Sequence, residues 1–240
     1  MRIAVLTCDK YLWAARIAAH LLGKYWSPTL PVDLVGFTHP GWSLPASWRF
    51  CSMGRQEDYP IEKWSNAVGQ YLKSIDDDLV LLLLEDFWLC RRVDAEAMRL
   101  LETYMSFNGR NVARMDVTTD RLYANGAVDV GPWDRLDLIK GHPDSEYQIS
   151  LQASIWNRGL LLELLAPDEM PWQFETAGCS RLRERPELQV LGTRQGPLRY
   201  VIGIRHGEAS VDGSWQFPPK RLEASDVEEI VRLGLWKAAQ

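Results

Sequence analysis

The chain lacks the signatures of most familiar cofactor and nucleophile sites. It holds no G-x-x-x-x-G-K-[ST] phosphate loop, no G-x-S-x-G elbow and no H-E-x-x-H pair. No G-x-G-x-x-G follows its first apolar run, which leads instead into Thr7-Cys8-Asp9-Lys10-Tyr11, so a dinucleotide held on a glycine-rich turn is excluded. Histidine is scarce, with only His20, His39, His142 and His206, and a zinc site would need acidic help. Cys8, Cys51, Cys90 and Cys179 are far apart, have no C-x-x-C spacing and follow no secretion signal, as expected of reduced thiols in a cytoplasm. No apolar run approaches the roughly 20 residues of a membrane-spanning helix, so a soluble chain is expected. There is no surplus of positive charge either. A net charge of −5 argues against sustained nucleic-acid binding through phosphate neutralisation. The cluster Arg181, Arg183, Arg185 is interrupted by Glu184 and Glu187 and reads as a solvated helix face.

What is present is ordinary globular material: 46% hydrophobic and 25% charged residues over 240 positions, enough for a large core and with no linker that divides it. One domain is expected. The most informative stretch is Leu79 to Trp88, where Val80 and four leucines precede Glu85 and Asp86, followed at once by Phe87 and Trp88. Such a run reads as a strand buried on both faces, ending in two carboxylates at the sheet rim where open α/β folds bind ligands. Two readings are open for the pair: a metal or substrate site, or an aspartate that caps the turn.

Ile3–Leu6 reads as a first strand, Leu12 to Trp26 as a helix, Val32–Phe37 as a second strand and Arg49–Met53 as a short third. Ile61, Trp64, Val68, Tyr71, Leu72 and Ile75 recur at helical spacing. Asp94 is a plausible N-cap for a helix over Ala95–Phe107, stopped at Asn108-Gly109, and Val112–Met115 returns as a strand. This alternation implies a largely parallel sheet. Leu122–Val130 reads as a hairpin or irregular excursion, and Gly131–Tyr147 as turn-rich loop on the acceptor side. Ile149–Trp156 leads into a helix over Leu160–Leu165, Trp172–Arg183 forms another, and strands follow at Gln189–Leu191 and Arg199–Ile204. Ser225-Asp226-Val227-Glu228 has capping-box form and opens a final amphipathic helix, read as packing.

An ordered set of short motifs then stands out: Cys8-Asp9-Lys10-Tyr11, Tyr25-Trp26, Trp64-Ser65, Leu82 to Phe87, Ser150-Leu151-Gln152 with Ala153 to Arg158, and Trp172-Gln173-Phe174-Glu175. In order and spacing the set resembles bacterial and phage nucleotide-sugar glycosyltransferases of the A-type (GT-A) fold, over about residues 3 to 207. The resemblance implies an α/β, three-layer α/β/α architecture with a mixed, mainly parallel central sheet. It also implies a donor half over residues 1–115 and an acceptor half over 116–240.

By the same resemblance, the chain moves a sugar from a nucleoside-diphosphate donor to a hydroxyl on a saccharide or glycoconjugate, assisted by Mn²⁺ or Mg²⁺. Asp86 would be the chief metal ligand and His206 would complete the coordination. The family's usual Asp-X-Asp is here Glu85-Asp86-Phe87, so its second aspartate is missing and metal dependence is open. Thr7, Asp9, Tyr11, Trp64, Asn66, Glu85 and Arg205 would face the donor. Asp9 has a competing reading as a helix cap and His206 one as a structural histidine. Glu175 would be the catalytic base of an inverting transfer, with Trp172 as the acceptor sugar's platform, against the reading of an ordinary exposed glutamate. A phage-type enzyme acting on a hydroxylated DNA base and a noncatalytic nucleotide-sugar binding protein are the alternatives.

Overall fold

A computed structural model describes residues 1–119, 121, 126–214, 216 and 219–236. The first half alternates strand and helix: β1 (Arg2–Leu6), α1 (Leu12–Tyr25), β2 (Val32–Gly36), β3 (Trp48–Ser52), α2 (Trp64–Lys73), β4 (Leu79–Leu84), a short β5 (Phe87–Leu89), α3 (Ala95–Asn108) and β6 (Val112–Asp116). The second half adds β7 (Val128–Trp133), β8 (Leu136–Lys140), β9 (Ser154–Asn157), α4 (Arg158–Leu164), α5 (Pro171–Arg183) and β10 (Gln189–Thr193). The chain closes with β11 (Tyr200–Ile202), β12 (Ile204–Arg205), β13 (Glu208–Ala209), β14 (Asp212–Gly213), β15 (Lys220–Arg221) and α6 (Ala224–Arg232).

Nine strands form one sheet in the order β3-β2-β1-β4-β9-β6-β10-β8-β7. The pairings make only β9 and β8 run against the rest, so the sheet is mixed and mainly parallel. Strand residues alternate between two cores, as a period of two requires. Ile3, Val5, Leu81 and Leu83 pack under α1 and α3, whereas Ala4, Leu6, Val80 and Leu82 pack under α2, α4 and α5. That is a three-layer α/β/α arrangement. Residues after 115 supply β7 to β10 to the same sheet, and β9 is inserted between β4 and β6.

Asp94 caps α3, accepting from the Ala97 amide at 3.0 Å. Other expectations are corrected. Gly131–Tyr147 is not all loop, because β7 and β8 form a hairpin on the sheet's edge. Gly131 and Pro132 hide the strand signal, but a register shift between Asp129 and Gly131 and the edge position accommodate them. Trp133 anchors the hairpin through its indole N–H on the Leu100 carbonyl at 2.9 Å. Residues 122–125 of the expected Leu122–Val130 excursion lie outside the described residues. Arg199–Ile204 splits: β11 pairs with β5 outside the main sheet, and β12 pairs with β13. The final helix is capped at Glu223, not Ser225, and Asp226 instead accepts from the Tyr25 hydroxyl at 2.6 Å and pairs with Lys24 at 2.8 Å. Arg181 is not a solvated cation, since its guanidinium holds Glu169 through two contacts of 2.8 Å. No helix among the described residues is long and apolar enough to cross a membrane.

Candidate functional site

The apolar β4 must surrender its chain to the surface at its carboxyl end, and it does so at Glu85 and Asp86. The turn is clamped by backbone. Glu85 N–H donates to the Leu6 carbonyl at 3.0 Å, and the Asp86 carbonyl accepts from Gly203 at 2.6 Å and Trp88 at 3.0 Å. The Trp88 indole N–H adds a bond to the Glu85 carbonyl at 3.2 Å. A β-carbon on Gly203 would overlap the Trp88 ring, so only glycine lets the 203–207 segment lie this close.

Both carboxyl groups hold their protons abnormally well. Burial, then the negative charge of Asp86, pushes Glu85 up to about 8. Burial pushes Asp86 up to about 6, against the pull of its own and the Ile204 backbone N–H groups. No cationic side chain among the described residues is placed to offset either charge. The turn is therefore a desolvated pair of acidic groups that a positively charged visitor would relieve.

Two loops flank it. Thr7 is buried at the end of β1, its amide on the Val35 carbonyl at 2.8 Å, and the Cys8 thiol is pushed up by burial and then by the charge of Glu85. Asp9 does not cap α1: its carboxylate accepts from the Thr38 amide at 3.0 Å and hydroxyl at 2.8 Å, which fastens the β1 and β2 exit loops together. Tyr11 looks toward Gly207 in the β12–β13 turn, where a β-carbon would stand 3.8 Å from the phenol oxygen. His206 and Gly207 form that two-residue turn with φ of 53° and 87°, the left-handed geometry a tight hairpin demands. Ile204 N–H reaches the Asp86 carboxylate, so the hairpin carrying Arg205 and His206 rests on the acidic turn. Thr7, Asp9, Tyr11, Glu85, Asp86, Arg205 and His206 thus converge on one sheet edge.

Trp64 and Asn66 are a correction, because their contacts lie elsewhere. Trp64 packs on Phe174 at 5.8 Å between ring centroids, and Asn66 exchanges hydrogen bonds with Asp168 at 2.8 Å and 3.0 Å. Trp64 joins α2 to α5, and Asn66 joins it to the segment before α5. Glu175 lies in the second turn of α5, half-buried, with Oε1 accepting from the Leu151 amide at 2.7 Å. It is not an ordinary exposed glutamate. Trp172, one turn earlier, is 55% exposed.

Several residues to which the sequence assigned no role in the site complete the edge. The Tyr200 hydroxyl bonds the Gln152 side chain, and its ring stacks on Phe87 at 4.1 Å. Gln152 follows the Leu151 amide that holds Glu175, so Phe87, Tyr200 and Gln152 connect the acidic turn to α5. Beneath this bridge Arg114 is fully buried, pairing with Asp116 at 2.6 Å and donating to the Gln148 carbonyl at 3.0 Å, and Arg121 pairs with the same aspartate at 2.7 Å. The one signal available for them was a charged pair, Arg114 and Asp116, inside an otherwise apolar strand.

Among the described residues no group of three or more His, Cys, Asp and Glu side chains converges to hold a metal ion. The expected pair, Asp86 with His206, is smaller than such a group, and the ordinary balance of its coordination would come from substrate phosphates and water. Two carboxylates remain as hard oxygen donors. That set suits Mg²⁺ or Mn²⁺ bound with one or two carboxylates and finished by substrate phosphates and water.

No family model and no curated protein matches the chain. Among solved structures it is similar to the galactosyltransferase LgtC in complex with donor and acceptor sugar analogs, at 15% identity over 74% of this chain and 72% of that one, with a TM-score of 0.41. It is also similar to Staphylococcus aureus TarS 1–349, at 11% identity over 97% of this chain and 64% of that one, TM-score 0.47. A third is a CMP:2-keto-3-deoxy-manno-octonic acid synthetase complexed with CTP, at 12% identity over 80% of this chain and 88% of that one, TM-score 0.39. One of these neighbours is a galactosyltransferase and another a synthetase complexed with CTP, and with every one of these scores below 0.5 the likeness assigns no activity.

Proposed function

We propose that the chain is a nucleotide-sugar-dependent glycosyltransferase, moving a sugar from a nucleoside diphosphate to a hydroxyl of a saccharide or glycoconjugate. The observation that carries this reading is the acidic turn: two adjacent desolvated carboxyl groups at the carboxyl end of β4 in a mainly parallel sheet, with no cation offsetting them among the described residues and a third carboxylate, Glu175, bridged to them from α5. The ordered motifs support the same chemistry. Residues 1–115 would provide most of the donor side and 116–240 most of the acceptor side.

Asp86 would be the chief ligand of Mn²⁺ or Mg²⁺ and His206 would complete the protein's share of the coordination, with Glu85 beside them. Such an ion, when bound, neutralises charge on the departing diphosphate. Thr7, Asp9 and Tyr11 border the space beside that turn and would orient the nucleotide, while Arg205 on the hairpin would pair with phosphate oxygens. Glu175 has one carboxylate oxygen committed to Leu151 and the other left for an acceptor hydroxyl, whose proton it would take as the anomeric carbon is attacked. Inversion is the stereochemistry that such a base supports. The exposed indole of Trp172 offers an apolar face for the acceptor ring.

The test is a screen of nucleoside-diphosphate sugars for binding and slow hydrolysis with and without Mn²⁺, on the native chain, Asp86→Asn and Glu175→Gln. Loss of cation-dependent donor binding in the first and retained binding without transfer in the second is the expected pattern. Full transfer by either variant removes that residue from its role.

A further inference from the structure

Away from the acidic turn, a cavity of about 570 Å³ opens beside the end of β5. Four cationic side chains line it, Arg91, Arg199, Lys220 and Arg221, in a chain whose net charge is −5. We propose that this cavity binds a phosphoryl anion carried by a small molecule.

The cations are arranged, not scattered. Arg91 donates to the Gly196 carbonyl at 3.0 Å and Arg199 to the Pro219 carbonyl at 2.9 Å, so each guanidinium is fixed by a neutral partner. Neither forms an ion pair among the described residues, and a guanidinium has five N–H donors, so donors remain for a visitor. Lys220 is buried, its ammonium 5.1 Å from the centre of the Tyr200 ring. The acidic side chains at the rim, Asp212 and Glu223, leave an excess of positive charge, and Asp212 is occupied by the Ser214 amide at 2.9 Å and hydroxyl at 3.2 Å. Planar, anchored guanidinium groups around a volume of this size favour the tetrahedral, multiply accepting oxygens of a phosphoryl group over a simple halide. None of the residues that line the cavity belongs to the acidic turn or to the loops that flank it, and the neighbour the two share is Tyr200, which has the Lys220 ammonium over its ring and Phe87 stacked on it. The site is therefore separate from the acidic turn, and its existence does not depend on the transfer reaction.

Cys90 lines the cavity and reports on it. Burial pushes its thiol up, and the charges of Arg199, Lys220 and Arg91 pull it back. A bound anion cancels that pull and blocks access, so alkylation slows. The experiment is iodoacetamide labelling of the full chain without divalent cation, read cysteine by cysteine by mass spectrometry. Inorganic phosphate is titrated against chloride at equal ionic strength. Phosphate should slow Cys90 labelling about threefold or more, leave Cys8 at the acidic turn unchanged, and lose about tenfold in apparent affinity in Arg91→Gln and Arg221→Gln. Should Cys90 resist alkylation altogether, phosphate-dependent thermal stabilisation of the native chain but of neither variant gives the same support. Equal protection by chloride, protection of Cys8 and Cys90 alike, or an unchanged phosphate response in both variants overturns the proposal.

Discussion

The two edges of the central sheet treat acidic side chains in opposite ways. At the amino-terminal edge three acidic side chains are matched: Asp33 by Arg49 at 2.7 Å and 2.9 Å and by the Tyr71 hydroxyl at 2.9 Å, Asp77 by Arg2 at 2.8 Å, and Glu102 by the chain's own ammonium at 2.8 Å. At the carboxyl-terminal edge, among the described residues, Glu85 and Asp86 feel burial and backbone N–H groups, and Glu85 also the charge of Asp86, with no cation setting their proton affinity. The proton affinities record the difference. Burial would raise Asp33, but the bonds from Arg49 and Tyr71 and the charges of Arg49 and Arg2 outweigh it and hold its carboxyl below the ordinary value. Burial at the other edge goes unopposed by any cation. An acidic rim of this kind is what the proposed cation and diphosphate donor would relieve.

The largest effect expected from disturbing the unsatisfied edge is on turnover. Glu175→Gln should lower the transfer rate by about 10²- to 10⁴-fold, the range of general-base contributions, while donor binding measured by calorimetry stays within about twofold. Asp86→Asn should weaken cation-dependent donor binding by about 10- to 100-fold and leave the thermal midpoint no lower than that of the native chain. At the satisfied edge the outcome should reverse: Asp33→Ala leaves the buried Tyr71 hydroxyl without its acceptor and should cost about 2 kcal/mol in urea denaturation, with donor binding unaltered.

The smallest effect, and the sharpest contrast, is in pH. Asp33, lowered on folding, contributes stability that is present above its unfolded value, about 3.9, and is lost as pH falls through the folded one. Glu85, raised on folding to about 8, does the opposite: its native form binds more protons than the unfolded chain, so stability declines as pH rises from roughly 4.5 to 8. Denaturation of Glu85→Gln should match the native chain near pH 4.5 and exceed it by about 1 kcal/mol at pH 8. Equal stability of the two at both pH values would erase the distinction between the edges.

Much of this edge could be read from residue order. The β4 run and its terminal Glu85-Asp86 were legible because a strand buried on both faces has no polar interruption until it leaves the sheet. Cys8 to Tyr11 and the α5 segment with Glu175 were legible as motifs. Asn66 misled because a polar residue near a helix start looks the same whether it meets a ligand or, as here, Asp168. The hairpin of β7 and β8 was hidden by Gly131 and Pro132, which punctuate loops elsewhere and are tolerated here by a bulged edge strand. Tyr200 and Gln152 are 48 positions apart, and nothing local marks either as the other's partner.

The amino-acid order by itself determined the alternating strands and helices, the central apolar strand and the acidic pair at its end, since these follow from hydrophobic period and from where an apolar run must stop. Tertiary structure alone decided that β9 inserts antiparallel between β4 and β6, that the 203–207 hairpin covers Asp86, and that Glu175 is tied to the same rim through Leu151, Gln152 and Tyr200. Those choices depend on contacts between residues far apart in the chain, which local periodicity does not encode. They also decide, among the described residues, which carboxylates meet a cation.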